Sequence, residues 1–433
     1  MRGCSLYKPH GLWLKLPPLV INTTHSFICV SYKNIRLSVS TQISKAYRRR
    51  YSPSEKMWSA INADTAFYNQ LVLDYSAVSS TIDWQQVAQS VVAANPGCAI
   101  RPHAFLGARH WRGHGRAFAV HKKTVLGSLY SVLHYLPKSL DDRKGDVCDL
   151  WVIHHDCGTA LVFRSTHSSM DGRGTLHWAE ETLRAVRQQP LLGTTNFQSD
   201  LEFAADISKK QREPKTGADC MPLTGGHAEK PQPFFLLRLD APARDITPRL
   251  LVALRDYAMA QDCSVVRAIV PTDLRSYKKA VYSTANLTGC LDIELSAEAT
   301  VESVGLNLIT QLYKKNDAVF TTVHHALNNF PEWLVRYGSQ WVSGKQSREN
   351  RYAQNINLSN LGELNPANFL LDNGAPLQAF FIAPQSRIFP LFICVSGWQG
   401  KSLISFAIPP GLQASAPAML DYLCNVFGGV RYV

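Results

Sequence analysis

The 433-residue sequence contains no run of about 18 apolar residues, so no transmembrane helix is expected. It contains no Cys-x-x-Cys pair. Its ten cysteines are scattered from Cys4 to Cys424, which excludes a tight zinc or disulfide framework and suits a reduced, cytoplasmic setting. Neither a Gly-x-Gly-x-x-Gly turn nor a Walker phosphate loop is present, which removes the usual supports for dinucleotide or nucleotide binding. No segment recurs at a fixed period, so any likeness between the two halves is structural only. Acidic residues are nearly missing from the first 56 positions, where Glu55 stands alone against ten Lys/Arg.

That last absence locates the charge. The formal net charge is +12, and residues 1–56, including Arg48-Arg49-Arg50, carry +9 of it, leaving the rest of the chain at +3. A basic appendage on a nearly neutral body gives nucleic-acid binding no support beyond the appendage itself. The apolar run from Leu12 to Ile21 is interrupted by Lys15, Pro17 and Pro18, unlike a secretory signal, whereas the Arg- and Ser-rich, acid-poor composition resembles a transit peptide. The preferred reading starts the fold at Met57 and treats 1–56 as a basic extension, disordered or not translated in the natural protein.

The body is long enough for two lobes of ordinary domain size. Hydrophobic residues make up 45% of the chain and charged residues 18%, the balance of a globular protein. The apolar segment 70–75 is followed by a predicted helix over 83–94, with Asp83 as N-cap, an apolar stripe from Trp84, Val87, Val91 and Val92, and Asn95-Pro96-Gly97 as its stop. Strands are predicted at 116–121, 149–154 and 159–164, and a helix at 176–188. Between 191 and 233 the pattern gives way to Gly, Pro, Lys and Thr, including Thr224-Gly225-Gly226, which reads as a linker. Strand and helix then alternate again: strands at 234–239, 265–270 and 291–295, and helices at 247–261 and 301–314. Helix-like material at 317–337, strands near 354–358, 377–382, 391–395 and 403–407, and a closing helix at 416–426 complete the chain. The expectation is an α/β, layered α+β protein, with an N-terminal lobe over 57–225 and a C-terminal lobe over 226–433.

The chemistry-bearing segment is Thr166-His167-Ser168-Ser169-Met170-Asp171-Gly172, on a loop leaving the apolar strand Ala160-Leu161-Val162-Phe163. Histidine is the side chain whose ordinary pKa lets it take and return a proton near neutrality. A turn through Ser168 and Ser169 would bring Asp171 back beneath the loop, and Gly172 would supply backbone freedom. Three fixed residues are a weak signal alone. Two further segments downstream make it specific: Val270-Pro271-Thr272-Asp273-Leu274-Arg275 and Asn357-Leu358-Ser359-Asn360-Leu361-Gly362.

Together these segments make residues 57–433 resemble the superfamily of chloramphenicol acetyltransferase, nonribosomal-peptide condensation domains and polyketide-associated acyltransferases. The resemblance is to the stand-alone condensation and polyketide-associated members, since no DFGWG segment of the plant-type enzymes occurs near the C-terminus. It implies two chloramphenicol-acetyltransferase-like lobes in a V around a central tunnel. It also implies His167 as catalytic base, and Asp171 as a structural residue paired with Arg275. Ser168, Ser359 and Asn360 become candidates for substrate or oxyanion contacts. The implied activity is acyl transfer in secondary or lipid metabolism, with no bound cofactor. The donor would be acyl-CoA or a phosphopantetheinyl acyl-carrier protein, and the acceptor a small-molecule alcohol or amine. An acyl- or peptidyl-carrier protein is the implied partner, and a monomer the implied state. Thr166 occupies the place where condensation domains carry a first histidine, which favours a hydroxyl or simple amine acceptor. The alternatives are an amide-forming peptide condensation enzyme and a non-catalytic protein that binds a carrier.

Other constellations are weaker. His154, His155, Cys157 and His167 match no standard zinc spacing, so no metal site is expected. His324-His325 reads as a buried or solvated pair. Arg109, His110, Trp111, Arg112, His114 and Arg116 form a basic aromatic cluster that reads as a solvated loop, with a CoA or phosphopantetheine phosphate as the alternative.

Overall fold

The computed structural model describes residues 47–432 apart from 105–107, 134–135, 138–139, 214–222, 224–231, 264, 350–351, 373 and 387. The expectations for residues 1–46 and for Thr224-Gly225-Gly226 fall outside that set.

The chain enters through β1 (Arg48–Arg50), with Arg49 turned inward. Ser52-Pro53-Ser54-Glu55 then opens α1 (Pro53–Asp64). Ser52 accepts from the Glu55 N–H, Glu55 accepts from the Ser52 N–H, and Pro53 stands in the first turn, where its missing N–H costs nothing. Arg49 lies 2.5 Å from Glu55 with both side chains fully buried, and the Trp111 indole N–H donates to the same carboxylate over 3.1 Å. Residues 47–56, expected to lie outside the fold, therefore belong to its core. The one acidic residue of the basic extension is there to neutralise Arg49.

The first half continues with β2 (Tyr68–Tyr75), α2 (Trp84–Ala94), β3 (Ile100–Ala104), β4 (Ala108–Gly113), β5 (Ala119–Thr124), a short α3 (Leu129–Leu133), β6 (Cys148–His155), β7 (Gly158–Thr166), α4 (Gly172–Val186) and α5 (Asp200–Ile207). Asp83 caps α2 by accepting from the N–H groups of Gln85 and Gln86. β1, β4 and β3 make a small sheet, in which Trp111 is buried while Arg112 is exposed. The solvated loop expected there is a strand with one face in the core. The 191–233 segment, read as linker, contains α5, started by its own capping box at Ser199 and Glu202.

The second half runs through β8 (Phe235–Leu239), α6 (Ala243–Met259), β9 (Val266–Asp273), β10 (Thr288–Leu295), α7 (Val301–Tyr313), α8 (Thr322–Leu327), α9 (Glu332–Glu349), β11 (Ile356–Glu363), β12 (Gln378–Ile382), β13 (Leu391–Trp398), β14 (Lys401–Ala407), α10 (Ala416–Phe427) and β15 (Gly429–Arg431). A seven-stranded sheet takes the order β10-β9-β11-β13-β14-β8-β15. β12 departs from it. It pairs antiparallel with β2, Ile382 opposite Gln70, and so completes a five-stranded sheet of order β12-β2-β7-β6-β5 in the first half. The lobes expected as 57–225 and 226–433 thus exchange a strand, which no local pattern in 377–382 announces. Two large apolar cores result, one around Leu71–Leu73, Ala160–Phe163 and Phe380, the other around Leu250, Ile293, Leu358 and Ile404. The helix-like stretch 317–337 resolves into α8 and the start of α9.

No helix among the described residues is long and apolar enough to cross a membrane. Removing one partner of a buried ion pair strands the other charge. Arg49→Ala is therefore expected to cost about 3–5 kcal/mol, and a chain begun at Met57 to lose at least as much, both read as a fall in the thermal unfolding midpoint. An unchanged midpoint for either would place β1 outside the cooperative fold.

Candidate active site

β7 ends at Thr166, and the loop that follows is held from several sides. The N–H groups of Ser169 and Met170 both donate to the Thr166 carbonyl, the Thr166 and Ser169 hydroxyls bond at 2.9 Å, and Met170 is buried in the first core. Arg49 donates to the Ser169 carbonyl over 3.2 Å, so the β1 residue missed in the sequence reading supports this loop directly. Ser168 is fully buried, and its hydroxyl donates to Asp142. It holds the loop in place and cannot reach a substrate, which removes it from the candidates for oxyanion contact.

Asp171 closes the loop as N-cap of α4, its Oδ1 accepting from the Gly174 N–H over 2.6 Å. The same carboxylate meets Arg275 in a fork, Nη1 to Oδ2 at 3.0 Å and Nη2 to Oδ1 at 3.1 Å. It also accepts from the Leu287 N–H at 2.7 Å and the Thr288 hydroxyl at 3.1 Å. Burial alone would raise the pKa of Asp171, but Arg275 and these donors hold it below the usual carboxylate value. Burial likewise works against the charge on Arg275, and Asp171 and Asp273 more than restore it. Arg275 donates further to the carbonyls of Ser283 and Ala285. With every lone pair engaged, Asp171 organises the loop and has no capacity left for proton transfer.

Gly172 does not use the left-handed backbone freedom expected of it, for its φ is not positive. Its lack of a side chain matters for another reason: a Cβ there would stand 2.9 Å from Leu361 Cδ2. The Asn357–Gly362 segment therefore touches the histidine loop through Leu361.

His167 itself is held by its backbone. Its N–H donates to the Phe67 carbonyl, and its carbonyl accepts from the Asn286 amide at 3.0 Å. The imidazole packs against the stacked pair Trp58 and Phe67, at 5.1 Å and 5.2 Å between ring centroids. Among the described residues no other side chain hydrogen-bonds to the ring, and Nδ1 is buried. Burial lowers its pKa below 6.5, outweighing the opposite pull of its own carbonyl and of Asp171. The ring is thus neutral at pH 7, and its other nitrogen is unoccupied.

A cavity of about 580 Å³ lies behind the neighbours of this histidine; His167 itself is not part of its wall. Trp58 and Asn286, the neighbours of His167, line it, together with Thr288, Cys290 and Asp292 along β10, Leu334 and Trp341 of α9, Asn357 of β11, and Phe389. Lys56 fastens the α8–α9 segment over α1 by donating to the carbonyls of Asn328 and Phe330. On β11, alternation puts Asn357, Ser359 and Leu361 on the face toward the first half, and Ile356 and Leu358 in the second core. Asn360 points the second way: its amide donates to the Ala243 carbonyl and the Thr247 hydroxyl and accepts from the Gly362 N–H. It is spent on structure; Ser359 shares a strand face with Asn357 but does not line the cavity. Asn357 was missed; it is buried, its Oδ1 has no partner, and it lines the cavity.

The remaining histidines are separate. His154 bonds Thr159 and His155 bonds Asp74, and among the described residues no group of three or more His, Cys, Asp or Glu could hold a metal. His324 lines the cavity, where burial, with Arg212, lowers it to about 4.

No family model matches the chain and no curated protein matches it in sequence. Solved structures do. The TRI101 of F. graminearum complexed with ethyl coenzyme A matches at a TM-score of 0.57 and 10% identity over 87% of this chain and 98% of that one. A variant starter condensation domain of rhizomide synthetase RzmA in complex with C8-CoA matches at 0.58 and 12%, over 91% and 96%. The condensation domain of the Monacolin K polyketide synthase MokA matches at 0.55 and 10%, over 88% and 96%. Over 87–91% of its length, this chain shares the mixed α/β fold of these solved structures.

Proposed function

We propose that this chain is an acyltransferase that moves an acyl group from a thioester, on CoA or on a carrier protein, to a hydroxyl or amine acceptor. The observation that supports the reading is His167: an imidazole whose pKa is lowered by burial, on a clamped loop, with its neighbours Trp58 and Asn286 lining a cavity of predominantly apolar walls. In acyl transfer the acceptor becomes more acidic as it attacks the thioester carbon. His167 takes its proton, the tetrahedral intermediate collapses with cleavage of the C–S bond, and the imidazolium returns the proton to the departing thiolate. The products are an ester or amide and a free thiol. Ser359 and Asn357 are the polar groups on the β11 face for substrate contacts. Thr166, with its hydroxyl held by Ser169, leaves the loop a single histidine, which favours alcohols and simple amines as acceptors.

The test is thiol release from acyl-CoA and acyl-carrier panels against alcohols and amines. His167→Ala is expected to reduce release by about 10²- to 10⁴-fold with an unchanged unfolding midpoint. A fully active variant would falsify the assignment. Asp171→Ala leaves the Arg275 guanidinium buried without its partner, and should lower stability by about 3–5 kcal/mol along with activity.

The pH profile is a separate check. Because the fold lowers the pKa of His167, the basic form survives to lower pH than in a free imidazole, and activity is lost only as pH falls through the depressed value. The acid limb of kcat/KM should lie below pH 6.5. Trp58→Ala, which admits water to the ring, should move that limb upward toward 6.5. An acid limb above 6.5 in the unaltered enzyme contradicts the environment described.

A further inference from the structure

A second cavity, of about 570 Å³, lies in the first half. It lies apart from the first: no residue lines both. Its character is the reverse of the first. Arg101 of β3, Arg116 before β5 and Lys144 of the 141–146 turn all border it and are all exposed. Arg101 and Arg116 form no ion pair with any described residue, whereas Lys144 has Asp141 at 3.5 Å.

His114 ties these pieces together. Its Nδ1 accepts from the Arg116 N–H, and its Nε2 faces the Gly145 carbonyl at 3.2 Å. An amide N–H only donates and a carbonyl only accepts, so both ring positions are fixed and the imidazole is neutral. Burial, together with the charges of Arg116 and Arg101, lowers its pKa. Gly145 has φ +95°, and a Cβ there would meet His114 at 3.1 Å and the Arg101 stem at 3.3 Å. The turn is therefore seated directly on the His114 ring and the Arg101 stem.

The negative groups in the cavity do not cancel it. Asp149 is buried and held by Arg164, with Nε to Oδ1 at 2.9 Å and Nη2 to Oδ2 at 2.6 Å, and it also accepts from Trp151. His121 stands 3.5 Å from the same carboxylate. Asp146 is the remaining acid, on the exposed side of the turn. Two guanidinium groups with no described ion-pair partner and a lysine at one opening make a site for a multiply charged anion, and guanidinium in particular matches the geometry of phosphate oxygens.

We infer that this cavity binds a phosphate-bearing small molecule through Arg101, Arg116 and Lys144. The inference does not rest on the proposed acyl transfer. The phosphate could belong to a free phosphorylated metabolite or to coenzyme A, and the test separates them. Binding of inorganic pyrophosphate and, separately, of coenzyme A is measured by calorimetry on the full chain and on Arg101→Ala/Arg116→Ala, at constant ionic strength set with chloride. Both positions are exposed, so the double variant should fold, which its unfolding midpoint verifies. Saturable pyrophosphate binding, weakened about tenfold or more in the double variant and retained in His167→Ala, is the expected result. Coenzyme A affinity falling in parallel would identify coenzyme A as the source of the phosphate; unaltered coenzyme A affinity would point to a free metabolite. Pyrophosphate heats no different from those of chloride, or equal binding by the double variant, would overturn the assignment.

Discussion

The Asp171 carboxylate is the point on which both halves of the molecule converge. It caps α4, it receives the Arg275 fork from just beyond β9, and it takes the N–H of Leu287 and the hydroxyl of Thr288 at the start of β10. Taking a carboxylate and a guanidinium out of water is expensive, and such a pair is seldom justified by net stability alone. Its value is directional. A carboxylate with all its acceptor sites filled fixes the loop in angle as well as position. His167 is therefore positioned through its backbone, without another side chain gripping its ring.

The surroundings of His167 follow the same division of labour. Charge is kept one shell away, on Asp171 and Arg275, while the ring packs against Trp58 and Phe67. An aromatic wall excludes water and disfavours the imidazolium, so the resting ring is a base. Loop rigidity comes from polar groups and basicity from apolar ones, and neither set does the other's work.

Much of this was legible in the sequence, and the failures are instructive. The histidine loop and Arg275 could be named because their residue types and order are distinctive. The α2 helix could be drawn because Asp83 and its apolar stripe agree. β1 and α1 were passed over because Arg48-Arg49-Arg50 dominates the local composition, although Ser52-Pro53-Ser54-Glu55 spells a capping box that could have revealed the helix. Ser168 and Asn360 were candidates for substrate or oxyanion contacts through the resemblance alone. Their partners, Asp142 and Ala243, lie 26 and 117 residues away, and no local pattern encodes a hydrogen bond over such distances. Asn357 escaped notice for the converse reason: its significance is that its Oδ1 has no partner at all.

The strand β12 has a bearing on how the molecule is made. Gln70 and Ile382 are neighbours in one sheet but lie more than 300 positions apart in the chain. At ribosomal speeds of about 5–20 residues per second, the edge of β2 waits at least about fifteen seconds for its partner strand. Until then the first sheet presents an unpaired edge, with Leu71, Val72 and Leu73 in the strand behind it, which is the kind of surface that invites mispairing. The two halves accordingly mature as one unit, and neither can be expected to serve as an independently folding fragment.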